Sequence, residues 1–270
     1  MTPRARTEGV ARLVPAVGRR GRAAPWRRRQ GASRPRIWAH RGDSAHATEN
    51  TAAAFAAARA AGADGIELDV RVCRSGEAIV FHDDDLRRLA GRTDRVADLP
   101  LSEIRTVRLT GGHGILTLEE ALEATVGMEL NVEIKSPQVG RAGALPARVA
   151  RAVADARAAD RVLVSSFDPW ALVQTHQALP GLAMALLFHA GEPYPVRRGW
   201  LGPWVGASAL HPEHVLCSEE SVAQWRRRGF AVNAWTVDDP VRIAELARWG
   251  VDGLFCNDPA AALRVLQAPR

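Results

Sequence analysis

From Arg36 onward the chain carries eight short runs rich in β-branched and other apolar residues, separated mostly by Ala- and Leu-rich stretches of helical length. This period is what most limits the fold. Strands joined by helix-length connections lie parallel, because the chain must cross back to the same end of the sheet before the next strand begins. The runs cover 36–40, 65–70, 128–134, 161–166, 182–188, 206–210, 230–236 and 252–256, with helices expected at about 49–61, 117–126, 144–158, 169–178, 218–228 and 240–249. Eight such strands predict an α/β protein, a TIM (β/α)8 barrel, over residues 36–270, and the length suits one barrel domain. A seven-stranded or open doubly wound sheet is the alternative topology.

The formal net charge of +6 is not spread evenly. Residues 1–36 hold 11 arginines against Glu8, a net +10, so residues 37–270 carry −4. The basic character therefore belongs to the N-terminal segment. Residues 1–35 lack sustained apolar periodicity and read as a disordered Arg-rich extension, since they bury too little apolar surface to offset their ordering entropy. A weak contact of this tail with an anionic membrane surface stays open; no nucleic-acid partner is expected from the acidic remainder. No apolar run approaches the roughly 18 residues of a membrane span. The arginines at 19–29 lack the hydrophobic region of a secretory signal. Three cysteines, Cys73, Cys217 and Cys256, are odd in number and without CxxC spacing, which argues against a disulfide framework and a thiolate zinc site. A cytoplasmic location is the expectation.

Barrels of this kind keep their sites where strands end and βα loops begin. The first run ends in His40-Arg41-Gly42, the second carries Glu67 and Asp69, and the third carries Asn131, Glu133 and then Lys135. Period-two alternation puts Glu67 with Asp69, and Glu133 with Lys135, on single faces. If those faces point inward, three carboxylates converge and repel, and one hard divalent cation, Mg²⁺ or Ca²⁺, resolves the repulsion. Pairing with inward arginines is the alternative. Arginine outnumbers lysine 35 to 1, so the single Lys135 marks a position suited to a compact ammonium, here one that holds a phosphate oxygen.

After the second run, residues 70–83 read as a hairpin about Ser75-Gly76. Paired positions summing to 151 would bring His82 opposite Asp69, within a residue of register, and so toward His40. Two imidazoles beside a cation supply a base for the attacking hydroxyl and an acid for the leaving alkoxide, while Arg41 steadies charge on the non-bridging oxygens. Phe167 and Trp235 are placed to wall a substrate pocket, with His211 as an accessory and His113 and His189 as weaker candidates. Glu49 either reaches the metal or Arg41, or serves as the first-turn acid of a helix.

The ordered blocks His40-Arg41-Gly42, Glu49-Asn50-Thr51, 65–70 (GIELDV), His82-Asp83, 131–135 (NVEIK), 165–168 (SSFD), Trp235-Thr236-Val237 and 250–253 (GVDG) resemble the glycerophosphodiester phosphodiesterase family. The resemblance covers about residues 37–265. It implies a TIM barrel, metal ligation by Glu67, Asp69 and Glu133, acid/base roles for His40 and His82, and a small glycerophosphodiester substrate cut to sn-glycerol 3-phosphate and an alcohol such as choline or ethanolamine. In related enzymes the substrate's own neighbouring hydroxyl can attack phosphorus to give a cyclic phosphate, with direct attack by water as the alternative. Thr48 stands where a proline is usual and Cys73 where a threonine is usual, and the Arg-rich segment 86–114 is short, which bears on substrate choice. The competing readings are a phospholipase D-like or C-like enzyme acting on lysophospholipids at a membrane, and a non-catalytic barrel that binds phosphorylated ligands.

Overall fold

β1 (Arg36–His40) pairs in parallel with both β2 (Gly65–Val72) and β9 (Gly253–Cys256), and this double pairing closes the sheet in the computed structural model, which describes residues 26–28 and 32–267. Between β2 and β9 run β4 (Glu129–Ile134), β5 (Val162–Ser166), β6 (Ala183–Phe188), β7 (Ala209–Pro212) and β8 (Ala231–Ala234), each parallel to the next. The eight form the expected TIM barrel. β3 (Ala78–Val80) stands outside the ring, antiparallel to β2, as the expected hairpin.

The helices are α1 (Ala52–Ala60), α2 (Arg87–Ala90), α3 (Leu101–Ile104), α4 (Leu118–Ala124), α5 (Leu145–Asp155), α6 (Pro169–Ala178), α7 (Tyr194–Arg197), α8 (Glu219–Arg227), α9 (Pro240–Arg248) and α10 (Pro259–Gln267). Their starts follow local chemistry. Thr51, Thr117, Asp168, Ser218 and Asp239 each accept a first-turn backbone N–H, and Pro169 and Pro240 occupy first-turn positions where no N–H is needed.

The structure departs from the sequence reading at several places. The first helix begins at Ala52, not near 49, because Asn50 is left-handed (φ 57°) and Thr51 is the cap. The strand expected at 206–210 lies at 209–212, since Gly206 (φ 69°) closes a turn. The hairpin pairs Val70 with Val80 and Val72 with Ala78, so positions sum to 150; Phe81 faces Asp69, and His82 falls one residue further on. The helix α10 was not expected; it buries Pro259, Ala262 and Leu263.

Two apolar layers hold the barrel. The outer one packs helix faces such as Phe55, Leu122, Val149 and Leu246 on outward strand residues such as Leu68, Val132 and Leu254. The inner one fills the floor with Trp26, Trp38, Leu163, Phe255 and the alanines at 183, 185, 209 and 231. The indoles need small neighbours: a Cβ on Gly65 would lie 2.5 Å from the Trp38 ring. A third cluster, including Ile79, Phe81, Leu86, Val96 and Ile104, gives the excursion between β2 and α4 its own small core.

Within the segment read as an extension, the described residues 26–28 and 32–35 pack on the barrel. Trp26 is buried, stacks on Trp38 with ring centroids 6.0 Å apart, and Trp38 in turn stacks on Phe255 at 5.9 Å. Arg28 donates its backbone N–H to Asp252 at 2.6 Å, and Arg34 pairs with Asp64. One buried aromatic in a basic stretch is enough to anchor it; residues 1–25 lie outside the described residues. Trp26→Ala should therefore lower stability by about 3 kcal/mol, as for other buried aromatics truncated to Ala, read from urea unfolding; an unchanged midpoint would show that the indole does not plug the floor.

Candidate active site

At the end of β1 the chain turns through two left-handed residues, Arg41 (φ 60°) and Gly42 (φ 83°). Gly42 is required, because a Cβ there would meet the Ala54 backbone at 2.7 Å. Arg41 is not a residue that favours this conformation, and what holds it is a set of acids: its backbone N–H donates to Glu67 Oε2 at 2.9 Å, and its guanidinium meets Glu49 at 2.9 Å and Asp69 at 3.3 Å. Glu49 precedes α1 and pairs with Arg41 and Arg88, so the reading that it orients Arg41 stands and the first-turn reading does not. Asn50 donates to Asp69 Oδ2 at 2.8 Å.

Parallel pairing sets His40 beside Glu67 on β2 and Asp69 beside Glu133 on β4. One oxygen from each of Glu67, Asp69 and Glu133 lies within 4.8 Å of the others, and all three residues are buried. Lys135 Nζ is 3.0 Å from Asp69 Oδ1 and also pairs with Glu133. Two cations thus face three acids. Burial, with Asp69 and Glu133 nearby, pushes Glu67 well above the usual carboxylate range. Burial also raises Glu133, Lys135 opposing and Asp69 adding to the rise. For Asp69 burial raises the pKa as well, but Lys135, Arg41 and the two histidines outweigh it and hold the carboxyl far below its ordinary value. Burial lowers Lys135, and Asp69 with Glu133 more than reverses that.

A divalent cation fits this group. Glu67 Oε1 is buried without a hydrogen-bond partner, and with all three carboxyls ionised the cluster would exceed Arg41 and Lys135 by one negative charge. Oxygen-only donors suit Mg²⁺ or Ca²⁺.

The histidines approach from different elements. His40 Nδ1 meets Asn257 Oδ1 at 2.8 Å, and its Nε2 lies 4.0 Å from Glu67. Burial, and then Arg41, push the His40 pKa down to about 4. His82 Nδ1 meets Asp83 at 2.7 Å, and Asp83 is gripped by Arg88 at 2.7 Å, the same arginine that reaches Glu49. Burial lowers His82 too, with Asp69 opposing. His40, Arg41, Glu67, His82, Glu133 and Lys135 line one cavity of about 210 Å³, and Asp69 completes the acid cluster from full burial.

The far wall of that cavity is apolar. Phe167 and Trp235 meet edge-to-face at 5.4 Å, and Trp235 Nε1 donates to the His211 carbonyl at 2.7 Å. His211 lies within β7 rather than beyond its strand, fully buried, with Nε2 3.0 Å from Asn233 Nδ2. Of the weaker candidates, His189 stands 5.9 Å from the Phe167 ring, while His113 lines a separate groove with Arg105 and Arg108. Sequence reasoning missed Asn50, Asp83, Arg88 and Asn257. Asn257 had a signal, a polar residue just past the last strand; Arg88 had none, being one arginine among many.

Together the closed parallel barrel and this rim define a TIM-barrel phosphodiesterase site, and comparison with known proteins agrees. The chain belongs to the glycerophosphoryl diester phosphodiesterase family, whose model matches residues 40–261. It is 32% identical over 241 residues to a glycerophosphodiester phosphodiesterase of Caldanaerobacter subterraneus subsp. tengcongensis, covering 86% of this chain and 97% of that one. Among solved structures it is similar to an Oleispira antarctica phosphodiesterase in complex with the product sn-glycerol-3-phosphate, with TM-score 0.76, 26% identity and coverage of 87% and 98%. A glycerophosphodiester phosphodiesterase of Thermotoga maritima matches with TM-score 0.69 and 27% identity, over 86% of this chain and 98% of that one.

Two outcomes follow from the charges. Metal-free Glu67→Gln should melt above metal-free wild type, because it removes a repelled carboxylate, and added Mg²⁺ or Ca²⁺ should stabilise wild type but not the variant; a lower melting temperature for the variant would contradict the repulsion. Burial holds His211 down to about 3. Its unfolded form, with an ordinary pKa near 6.5, binds a proton that the fold refuses, so its presence costs stability progressively as pH falls from about 6.5 to about 3. The stability of wild type relative to His211→Asn should decline over that window in urea titrations, and a pH-independent difference would show that His211 protonates freely.

Proposed function

We propose that this barrel hydrolyses glycerophosphodiesters to sn-glycerol 3-phosphate and an alcohol, with His40 and His82 as its acid/base pair around one divalent cation, Mg²⁺ or Ca²⁺. The observation that carries this reading is the meeting of two imidazoles from separate elements with three buried carboxylates at one cavity. Family membership supports the reaction class, and the product bound to the Oleispira antarctica relative supports the substrate class.

Glu67, Asp69 and Glu133 would hold the ion, which when bound supplies positive charge for the phosphate oxygens. One imidazole removes the proton of the attacking hydroxyl, whether of water or of the substrate's own glycerol, and the other protonates the departing alkoxide. His40, kept neutral at pH 7 by burial, suits the base role. His82 hydrogen-bonds the Asp83 carboxylate, which offsets part of the fall that burial causes, and it takes the acid role. Arg41 and Lys135 bind non-bridging oxygens. Phe167, Trp235 and His211 shape the pocket that receives the organic groups.

The cytoplasm is the proposed location, since Cys73, Cys217 and Cys256 are all unpaired and buried. A lysophospholipid substrate is the second reading. It is favoured by Trp170 and Tyr194, exposed in the segments that follow β5 and β6 at the site's end of the barrel.

His40→Ala and His82→Ala should each lower turnover roughly 100-fold or more, and a variant with near wild-type turnover would lose its assigned role. Chelation should abolish activity on glycerophosphocholine, glycerophosphoethanolamine and glycerophosphoglycerol, and single-ion add-back should restore it with the resident ion. Undiminished turnover in chelator would remove the cation from the reading. Lysophosphatidylcholine in the same screen separates the two substrate readings.

A further inference from the structure

We propose that Asn257 is a positioning residue that fixes the ring tautomer of His40, so that an unprotonated Nε2 faces the carboxylate cluster. The inference rests on His40 being an acid/base group. Asn257 follows β9 directly and reaches back across the barrel rim to β1.

Its amide has only one orientation that satisfies every neighbour. The amide NH₂ lies 2.5 Å from Asp238 Oδ2, and the backbone N–H of Asn257 donates to the other Asp238 oxygen at 2.7 Å. A carboxylate only accepts, so the NH₂ must face Asp238 and the carbonyl oxygen must face the other way. That oxygen accepts the Ser44 hydroxyl at 3.0 Å and meets His40 Nδ1 at 2.8 Å. A carbonyl oxygen likewise only accepts, so Nδ1 must carry the ring proton. In the neutral imidazole this leaves the lone pair on Nε2, the nitrogen 4.0 Å from Glu67.

Flipping the amide would set its oxygen against the Asp238 carboxylate, replacing that hydrogen bond with repulsion between two acceptors. The loop is tied as well: Ala45 N–H donates to the Asn257 carbonyl at 3.1 Å, so the residue that sets the tautomer also anchors the turn after His40. His82 gets the same orientation from a charged partner, Asp83. A neutral amide gives His40 direction without adding a negative charge beside a cluster that already repels itself.

The test uses full-length protein with its divalent cation. Asn257→Ala should lower kcat about tenfold or more, as is usual for groups that orient a reacting histidine or ligand, with little change in KM. Exchanging the pair, Asp238→Asn with Asn257→Asp, keeps an acceptor against Nδ1 and a donor behind it, and should keep the proton on Nδ1 in the histidine spectrum even though it moves a negative charge toward the cluster. Histidine ¹⁵N spectra of wild type should show His40 with the proton on Nδ1 and a bare Nε2, and Asn257→Ala should show a mixture. A wild-type ring protonated on Nε2 would overturn the proposal. So would wild-type kcat in Asn257→Ala while His40→Ala is crippled. If His40→Ala itself stays active, the acid/base reading fails instead, and the spectrum still decides the tautomer. Should Asn257→Ala fail to fold, the exchanged pair and the wild-type spectrum carry the decision.

Discussion

Three buried carboxylates with oxygens within 4.8 Å of one another are the constraint around which the rim is built. Like charges at such separations in a low-dielectric interior are costly unless neutralised or protonated. Lys135 and Arg41 offset two of the three, at the expense of a left-handed backbone at Arg41. Glu49 and Arg88 then brace Arg41 from outside, and Asn50 braces Asp69 from within. Each brace contributes to an arrangement still one positive charge short, and that shortage is the chemical basis for a cation site.

Such a rim contributes little to stability, so the fold draws stability elsewhere. The floor of the barrel is filled by stacked aromatics against alanines and Gly65, and the outer layer packs aliphatic strand faces under helices. Function and stability are thus placed at opposite ends of the same strands, the division expected of this architecture. Trp26 joins the stabilising end, which draws part of the arginine-rich segment into the domain.

The excursion between β2 and α4 has a role that its composition hides. Its small core, with Phe81, Leu86 and Val96, fixes the hairpin on the rim. From there it delivers His82 and Asp83, and α2 contributes Arg88 to link Asp83 with Glu49. One arginine among several in that stretch couples the second histidine to the brace behind the first strand's arginine.

The eight-stranded plan was legible because strand and helix periods differ; that the sheet closes rather than staying open is decided by the pairing of β1 with both β2 and β9. Glu67 with Asp69, and Glu133 with Lys135, could be placed on shared faces from alternation, since each sits on a regular strand or one step past it; that those faces point inward is decided by the barrel. The hairpin register was off by one residue because the turn tightens about Ser75, with Gly76 left-handed, a choice of φ and ψ that residue identities do not specify. Trp26, Asn50, Arg88 and Asn257 were beyond reach for a different reason. What each does depends on a partner far along the chain, such as Asn257 with His40 and Trp26 with Phe255 through Trp38. By itself the sequence determined the alternation of strands and helices and singled out the acids and the two histidines as candidates, because local periodicity and side-chain chemistry suffice for that. Only the tertiary structure decided which neutral and basic groups hold those residues, because hydrogen-bond direction and ion pairing exist only once distant segments are brought within about 3 Å.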